Sequence, residues 1–220
     1  MDKVILFDLD GTLIDSTDAI LESFGVAFRS FGTDVPNEEE IKSHIGHPLD
    51  VMFASLGVQN EEIEYYVTKY KEHYREISAE MTYLLPNALK ALKLASRHAR
   101  LGIVTTKTGL YSKVLLEHLG IMDFFEVLIG REDVVNPKPH AEPIEKAISF
   151  FDNIDKNKCF MIGDTCMDVN SAKNAMINGV GIASGYASLN QLKECGDKIF
   201  CDVLEAVENI VEKNKLSSIY

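Results

Sequence analysis

The chain has 220 residues, 46% of them hydrophobic and 25% charged, with a formal net charge of -12 at pH 7 and a pI of about 4.9. That apolar content is enough for a full core, and the length suits one large domain or a main domain with a smaller companion. The acidity and the lack of a basic stripe argue against binding a nucleic-acid backbone, and no apolar run approaches the length of a membrane span.

The first element is the apolar run 3–8, read as a buried strand, which ends in Asp8-Leu9-Asp10-Gly11-Thr12. Residues 15–82 then read as helices without a clear strand. One covers 16–31, capped by Ser16 or Thr17. "NEEEIKSHIG" carries Asn37 with Glu40 three residues on, a capping-box pattern. "PLDVMFASLG" and "NEEIEYYVTKYKEHYREISAE" continue the helical run. Further β-like runs lie at 101–105, 125–129, 159–163 and 180–183, with a short sixth at 199–200. They alternate with the helical stretches "PNALKALKLASRHA", "GLYSKVLLEHLG", "EPIEKAISFF", "DVNSAKNAMING" and "DVLEAVENIVEKN", with Gly120 and Gly179 at helix ends. The strand runs are continuous rather than alternating, as in a parallel sheet covered on both faces. This pattern predicts a Rossmann-like α/β core from 1–14 and 83–220, with an all-helical domain, 15–82, inserted into it.

Cys159, Cys166, Cys195 and Cys201 form no CxxC pair, so neither a zinc site nor a disulfide framework is expected. No long apolar stretch precedes the first acid of "MDKVILFD". Together these read as a reduced, cytoplasmic protein without a signal peptide.

In open parallel sheets the ligand lies beyond the carboxyl ends of the strands. Polar residues occupy those ends here: Asp8 and Asp10, then Thr105, Thr106 and Lys107, then Asp164 and Asp168 in "GDTCMD". Two carboxylates two residues apart in extended chain project to one side. Crowded together, one must take a proton unless a cation intervenes. Their convergence with Asp164 and Asp168 reads as a Mg²⁺ site, an oxygen-ligand preference. Thr105 and Thr106 offer hydroxyl and backbone donors, and Lys138, held between Pro137 and Pro139, offers a positive charge. This set suits phosphoryl transfer, with a carboxylate able to act as nucleophile. Plainer readings stand beside these. Asp-Gly is a common turn, and Asp168 is equally placed to cap the following helix. Lys107 and His44 read as solvated surface residues, His47 as a residue facing the site, and His140 stays undecided. Arg75 and the tyrosines of the fourth helix read as a helix face.

The motifs "DLDGTL" (8–13), "VTTK" (104–107), "KPHAEP" (138–143) and "GDTCMD" (163–168) resemble, in order and spacing, those of the haloacid dehalogenase superfamily of phosphohydrolases, in its phosphoglycolate phosphatase-like branch. The helical insertion after the first motif is similar to that family's cap. The resemblance implies a Mg²⁺-dependent phosphatase that hydrolyses a small phosphomonoester such as phosphoglycolate through an aspartyl phosphate, as a monomer or homodimer. Asp8 would be the nucleophile and a metal ligand. Asp10 would be the general acid and base, with its carbonyl on the metal. Thr105, Thr106 and Lys138 would hold the phosphoryl group, Asp164 the metal, and Asp168 would support the metal site. Thr106 departs from the family's usual Asn, which removes a side-chain contact and keeps a backbone one. Pyrophosphate hydrolysis, or a sugar-phosphate phosphatase or mutase reaction, uses the same core. The rival of another class is a receiver-like phospho-acceptor module.

Overall fold

The computed structural model describes residues 2–217. Its main sheet has six parallel strands in the order β5-β4-β1-β6-β7-β8. These are β1 (Val4–Phe7), β4 (Arg100–Val104), β5 (Val127–Ile129), β6 (Cys159–Gly163), β7 (Asn178–Ile182) and β8 (Ile199–Phe200). The first strand lies inside, with β4 on one side and β6 on the other. Its four residues are all buried, which is why its sequence is apolar at every position. Ile5 and Phe7 pack toward α5 (Ala88–Ala95), α6 (Gly109–His118) and α10 (Val203–Ser217). Val4 and Leu6 pack toward α7 (Glu142–Ile148) and α8 (Cys166–Asn174). This is an α/β layer structure with helices on both faces.

Between β1 and β4 the chain forms α1 (Thr17–Ser30), α2 (Glu38–Ser43), α3 (Leu49–Ser55) and α4 (Ile63–Ile77). Asn37 caps α2 by accepting a hydrogen bond from the Glu40 N–H at 2.9 Å. An aromatic cluster joins α1, α3 and α4: Phe24 lies 4.6 Å from Phe53 and 5.0 Å from Tyr70, centroid to centroid, and Tyr70 stacks on Tyr74 at 5.4 Å. Two short strands the sequence pattern did not signal, β2 (Ile14–Asp15) and β3 (Tyr83–Leu84), pair antiparallel where the chain leaves and re-enters the sheet layer. Two-residue strands are too short to show a period.

Three expectations change. Gly179 lies inside β7, and the turn after α8 is made by Met176 at a φ of 59°. A ninth helix, α9 (Leu189–Cys195), follows β7 where none was expected. Cys166 and Cys195 form a disulfide, their Cα atoms 5.6 Å apart, whereas no disulfide was expected. Their separation of 29 residues matches no motif, and only the packing of α8 beside α9 brings them together. Cys159 and Cys201 are free. No helix among the described residues is long and apolar enough to cross a membrane.

A cross-link closing a loop of that size contributes about 3 kcal/mol by restricting the unfolded chain. Reduction should therefore lower Tm by roughly 6–12 °C for a chain of this length. Scanning calorimetry with and without a thiol reductant measures it, and an unchanged Tm would show that the pair does not form.

Candidate active site

The carboxyl ends of β1, β4 and β6 meet where the strand order reverses around β1, and each delivers a polar group to one place. Asp8 follows β1, Thr105 follows β4 and Asp164 follows β6; all three are buried. Ligand atoms of Asp8, Asp164 and Asp168 lie within 4.8 Å of one another. Lys138 Nζ sits 2.9 Å from Asp8 Oδ1 and 2.6 Å from Asp168 Oδ1, and it also donates to the Val104 carbonyl at 3.0 Å.

Local chain geometry makes the crowding possible. Gly11 turns the chain after Asp10 at a φ of 78°, and a Cβ there would collide with the Asp164 carboxylate. A Cβ on Gly163 would likewise collide with the Asp168 carboxyl. Asp168 caps the following helix, one of the two readings the sequence offered, and also pairs with Lys138. Its Oδ2 accepts from the Thr165 N–H at 3.1 Å and the Thr165 hydroxyl at 2.7 Å, capping α8, while its Oδ1 holds Lys138. Asp164 is fixed by the Thr12 hydroxyl at 3.1 Å and the Tyr186 N–H at 2.8 Å.

Burial dominates the electrostatics. It pushes the Asp8 carboxyl up to about 7; the Lys138 ammonium pulls against that and the Asp168 carboxylate adds to it. Burial, then the Asp168 and Asp8 carboxylates, hold Asp164 well above its ordinary value. Burial alone would lower the Lys138 pKa, but Asp168 and Asp8 outweigh it and raise it. Among the described residues Lys138 pairs with Asp8 and Asp168, and Asp164 has no cation beside it, so the three carboxyls can all stay ionised only if a further cation joins them. Asp8 Oδ1 receives no well-directed hydrogen bond from the described residues despite its burial. An all-oxygen donor set with that deficit fits a hard divalent cation.

Asp10 faces the same cavity from the other side. The Ser16 hydroxyl donates to its Oδ1, and Lys107 Nζ lies 3.2 Å from its Oδ2. Lys107 is not the solvated lysine expected. Its side chain is 10% exposed and donates to the Tyr74 hydroxyl of α4 at 2.9 Å, with its ammonium 4.4 Å from the Tyr74 ring centroid. Nothing in a linear sequence brings Tyr74 to Lys107, so this tie was not foreseeable. Thr106, expected to hold phosphate, spends its hydroxyl on the Gly46 carbonyl at 2.8 Å, a contact with the α2–α3 loop. His47 is exposed on the cavity lining, His140 accepts from the Glu142 N–H at 3.1 Å, and Arg75 donates to the Tyr111 hydroxyl at 3.0 Å. Thr12, Ser16 and Tyr186 were missed; Thr12 at least carried a signal, since it stands beside Asp8 and Asp10 in "DLDGT".

A family model described as haloacid dehalogenase-like hydrolase matches residues 5–182. A pyrophosphatase from Listeria monocytogenes is 35% identical over 184 residues, covering 81% of this chain and 82% of its own. A phosphoglycolate phosphatase from Salmonella choleraesuis is 30% identical over 215 residues, covering 84% and 85%. Among solved structures, a haloacid dehalogenase-like hydrolase from Streptococcus pneumoniae superposes with a TM-score of 0.85 at 28% identity, covering 94% of this chain and 97% of that one.

The raised Asp8 pKa carries a stability consequence. Between the unfolded value, about 3.9, and the folded value, about 7, the folded state holds a proton the unfolded state has released. Stability from this group is thus present at low pH and lost as pH rises through that window. In chelator-treated protein, the Tm advantage of Asp8→Asn over wild type should be near zero at pH 4 and largest above pH 7. An advantage that does not grow with pH would contradict the buried-charge account.

Proposed function

The chain belongs to the haloacid dehalogenase-like hydrolase family, and from that premise we propose that it is a Mg²⁺-dependent phosphatase that cleaves a phosphorylated small metabolite through an aspartyl phosphate on Asp8. One observation carries the reading: the buried Asp8–Asp164–Asp168 cluster with Lys138 against it, opening onto the cavity that Asp10 also lines. The Asp8 and Asp164 carboxylates and the Asp10 carbonyl would hold the metal, with Asp168 in support. When bound, Mg²⁺ neutralises charge on the phosphoryl oxygens and on the carboxylates themselves.

In the first step an Asp8 oxygen attacks phosphorus, and the bond to the ester oxygen breaks. Asp10 gives that leaving oxygen a proton. In the second step water attacks the aspartyl phosphate and loses its proton to Asp10, so phosphate leaves and both residues return to their starting states. Lys138 offsets the negative charge on the transferring group, and the Thr105 hydroxyl donates to it. Thr106 contributes through its backbone N–H, since its hydroxyl is held by Gly46. The helical segment 15–82 acts as a cap, shielding the first step from bulk water. The named relatives make phosphoglycolate and pyrophosphate the first compounds to assay.

Phosphate release from a panel of phosphomonoesters and pyrophosphate, with Mg²⁺ and with EDTA, tests the proposal. Turnover should require Mg²⁺ and return when it is restored. Asp8→Asn should abolish it with the circular dichroism spectrum unchanged, and Asp10→Asn should cost roughly 10²–10⁴-fold in kcat. Retained Mg²⁺-dependent hydrolysis by Asp8→Asn would falsify the nucleophile assignment.

A further inference from the structure

The cavity above Asp8 extends well past the reacting groups. Its volume is about 290 Å³, and α4 runs along one wall. Val67, Tyr70, Lys71 and Tyr74 all line it, at positions i, i+3, i+4 and i+7 of one helix face. Tyr74 marks the reacting end, because its hydroxyl is tied through Lys107 to Asp10. At 1.5 Å per residue, the lining continues about 10 Å further along the helix to Val67. The glycolate part of phosphoglycolate is shorter than one helical turn of about 5.4 Å. It would end near Tyr74 and leave the half-buried Leu49, Val67 and Lys71 uncovered.

The chemistry of the extension is apolar. Leu49 and Met52 of α3 line the same cavity as Val67 and Tyr70, and the polar groups beside them are Lys71 of α4, Asp50 of α3 and His47. Tyr70 is held by its stack on Tyr74 and its edge contact with Phe24, so this wall is a rigid surface. A pocket of this kind gains affinity by covering apolar area, with a few polar groups fixing orientation.

Resting on the phosphatase reading above, we infer that the substrate is a phosphomonoester whose leaving group carries an apolar, ring-sized body, seated along Val67, Tyr70, Leu49 and Met52, and is not a two-carbon acid. The ring lies against Val67 and Leu49, with the nearly buried Tyr70 and Met52 behind them, and Lys71 meets a polar substituent at its edge.

The test compares kcat/KM, with Mg²⁺, for 2-phenylethyl phosphate, ethyl phosphate and 2-phosphoglycolate, all esters of primary alcohols. The phenylethyl ester should exceed both others at least tenfold. Val67→Trp and Leu49→Trp, which fill the extension from two different helices, should each cut the phenylethyl-to-ethyl ratio at least fivefold; Tm reports whether each folds. Equal or better use of phosphoglycolate overturns the inference, as does a ratio that neither folded variant moves. Calorimetric binding of 2-phenylethylphosphonate against phosphonoacetate, in Mg²⁺, needs no turnover. If neither these esters nor the panel above is hydrolysed, the phosphatase reading falls, while tighter binding of the phenylethyl compound, by tenfold or more, still supports the pocket assignment and the reverse order refutes it.

Discussion

Lys138 Nζ lies 2.9 Å from Asp8 and 2.6 Å from Asp168, with all three side chains almost wholly removed from water. Taking such charges out of water is costly, and their mutual attraction compensates only where the geometry is held closely. The geometry of the site follows from that requirement. Three strands of one sheet fix the origins of the side chains, glycines at 11 and 163 allow them to approach, and Thr12, Thr165 and Tyr186 satisfy the carboxylate oxygens that do not face the lysine. The balance remains short of positive charge, and that shortfall suits the centre to a cation. A stable sheet is thus the condition for an unstable arrangement of charge.

The sheet was legible because burial on both faces leaves a continuous apolar run, and β1, β4 and β6 each read that way. The strand-end residues were legible for the related reason that polar groups immediately after such runs are conspicuous. What escaped the sequence depends on residues far apart in the chain. Lys107 looks like any exposed lysine until α4 brings Tyr74 to it across 33 positions. The Thr106 hydroxyl looks free until the Gly46 carbonyl arrives from the other side of the cavity. Cys166 and Cys195 meet only once α8 and α9 pack, and α9 was itself unread although Ser188 and Gln191 carry the capping-box pattern that marks its start.

The contacts between the helical segment and the sheet layer are few in kind and differ in purpose. The Thr106–Gly46 hydrogen bond and the Lys107–Tyr74 bond both bridge the cavity, and both involve residues next to Thr105. The stretch after β4 therefore turns Thr105 to the cavity and grips the helices with the next two residues. Asp10 is held in the same way, through Ser16 on the outgoing chain and Lys107 on the far wall. Position of the helices and orientation of the Asp10 carboxylate are coupled by direct bonds.

The interior place of β1 also shapes how the protein is made. Its neighbours, β4 and β6, lie roughly a hundred and a hundred and fifty residues further along the chain. At 5–20 residues per second, the ribosome leaves this apolar strand without its first partner for roughly 5–20 s. The helices of 17–77 emerge during that wait, and their aromatic cluster can form from contacts within that segment alone. The nascent chain thus has a region able to condense early. Its clustered carboxylates meet only after Asp168 has been synthesised, so the costly charge cluster forms well after the helices of 17–77.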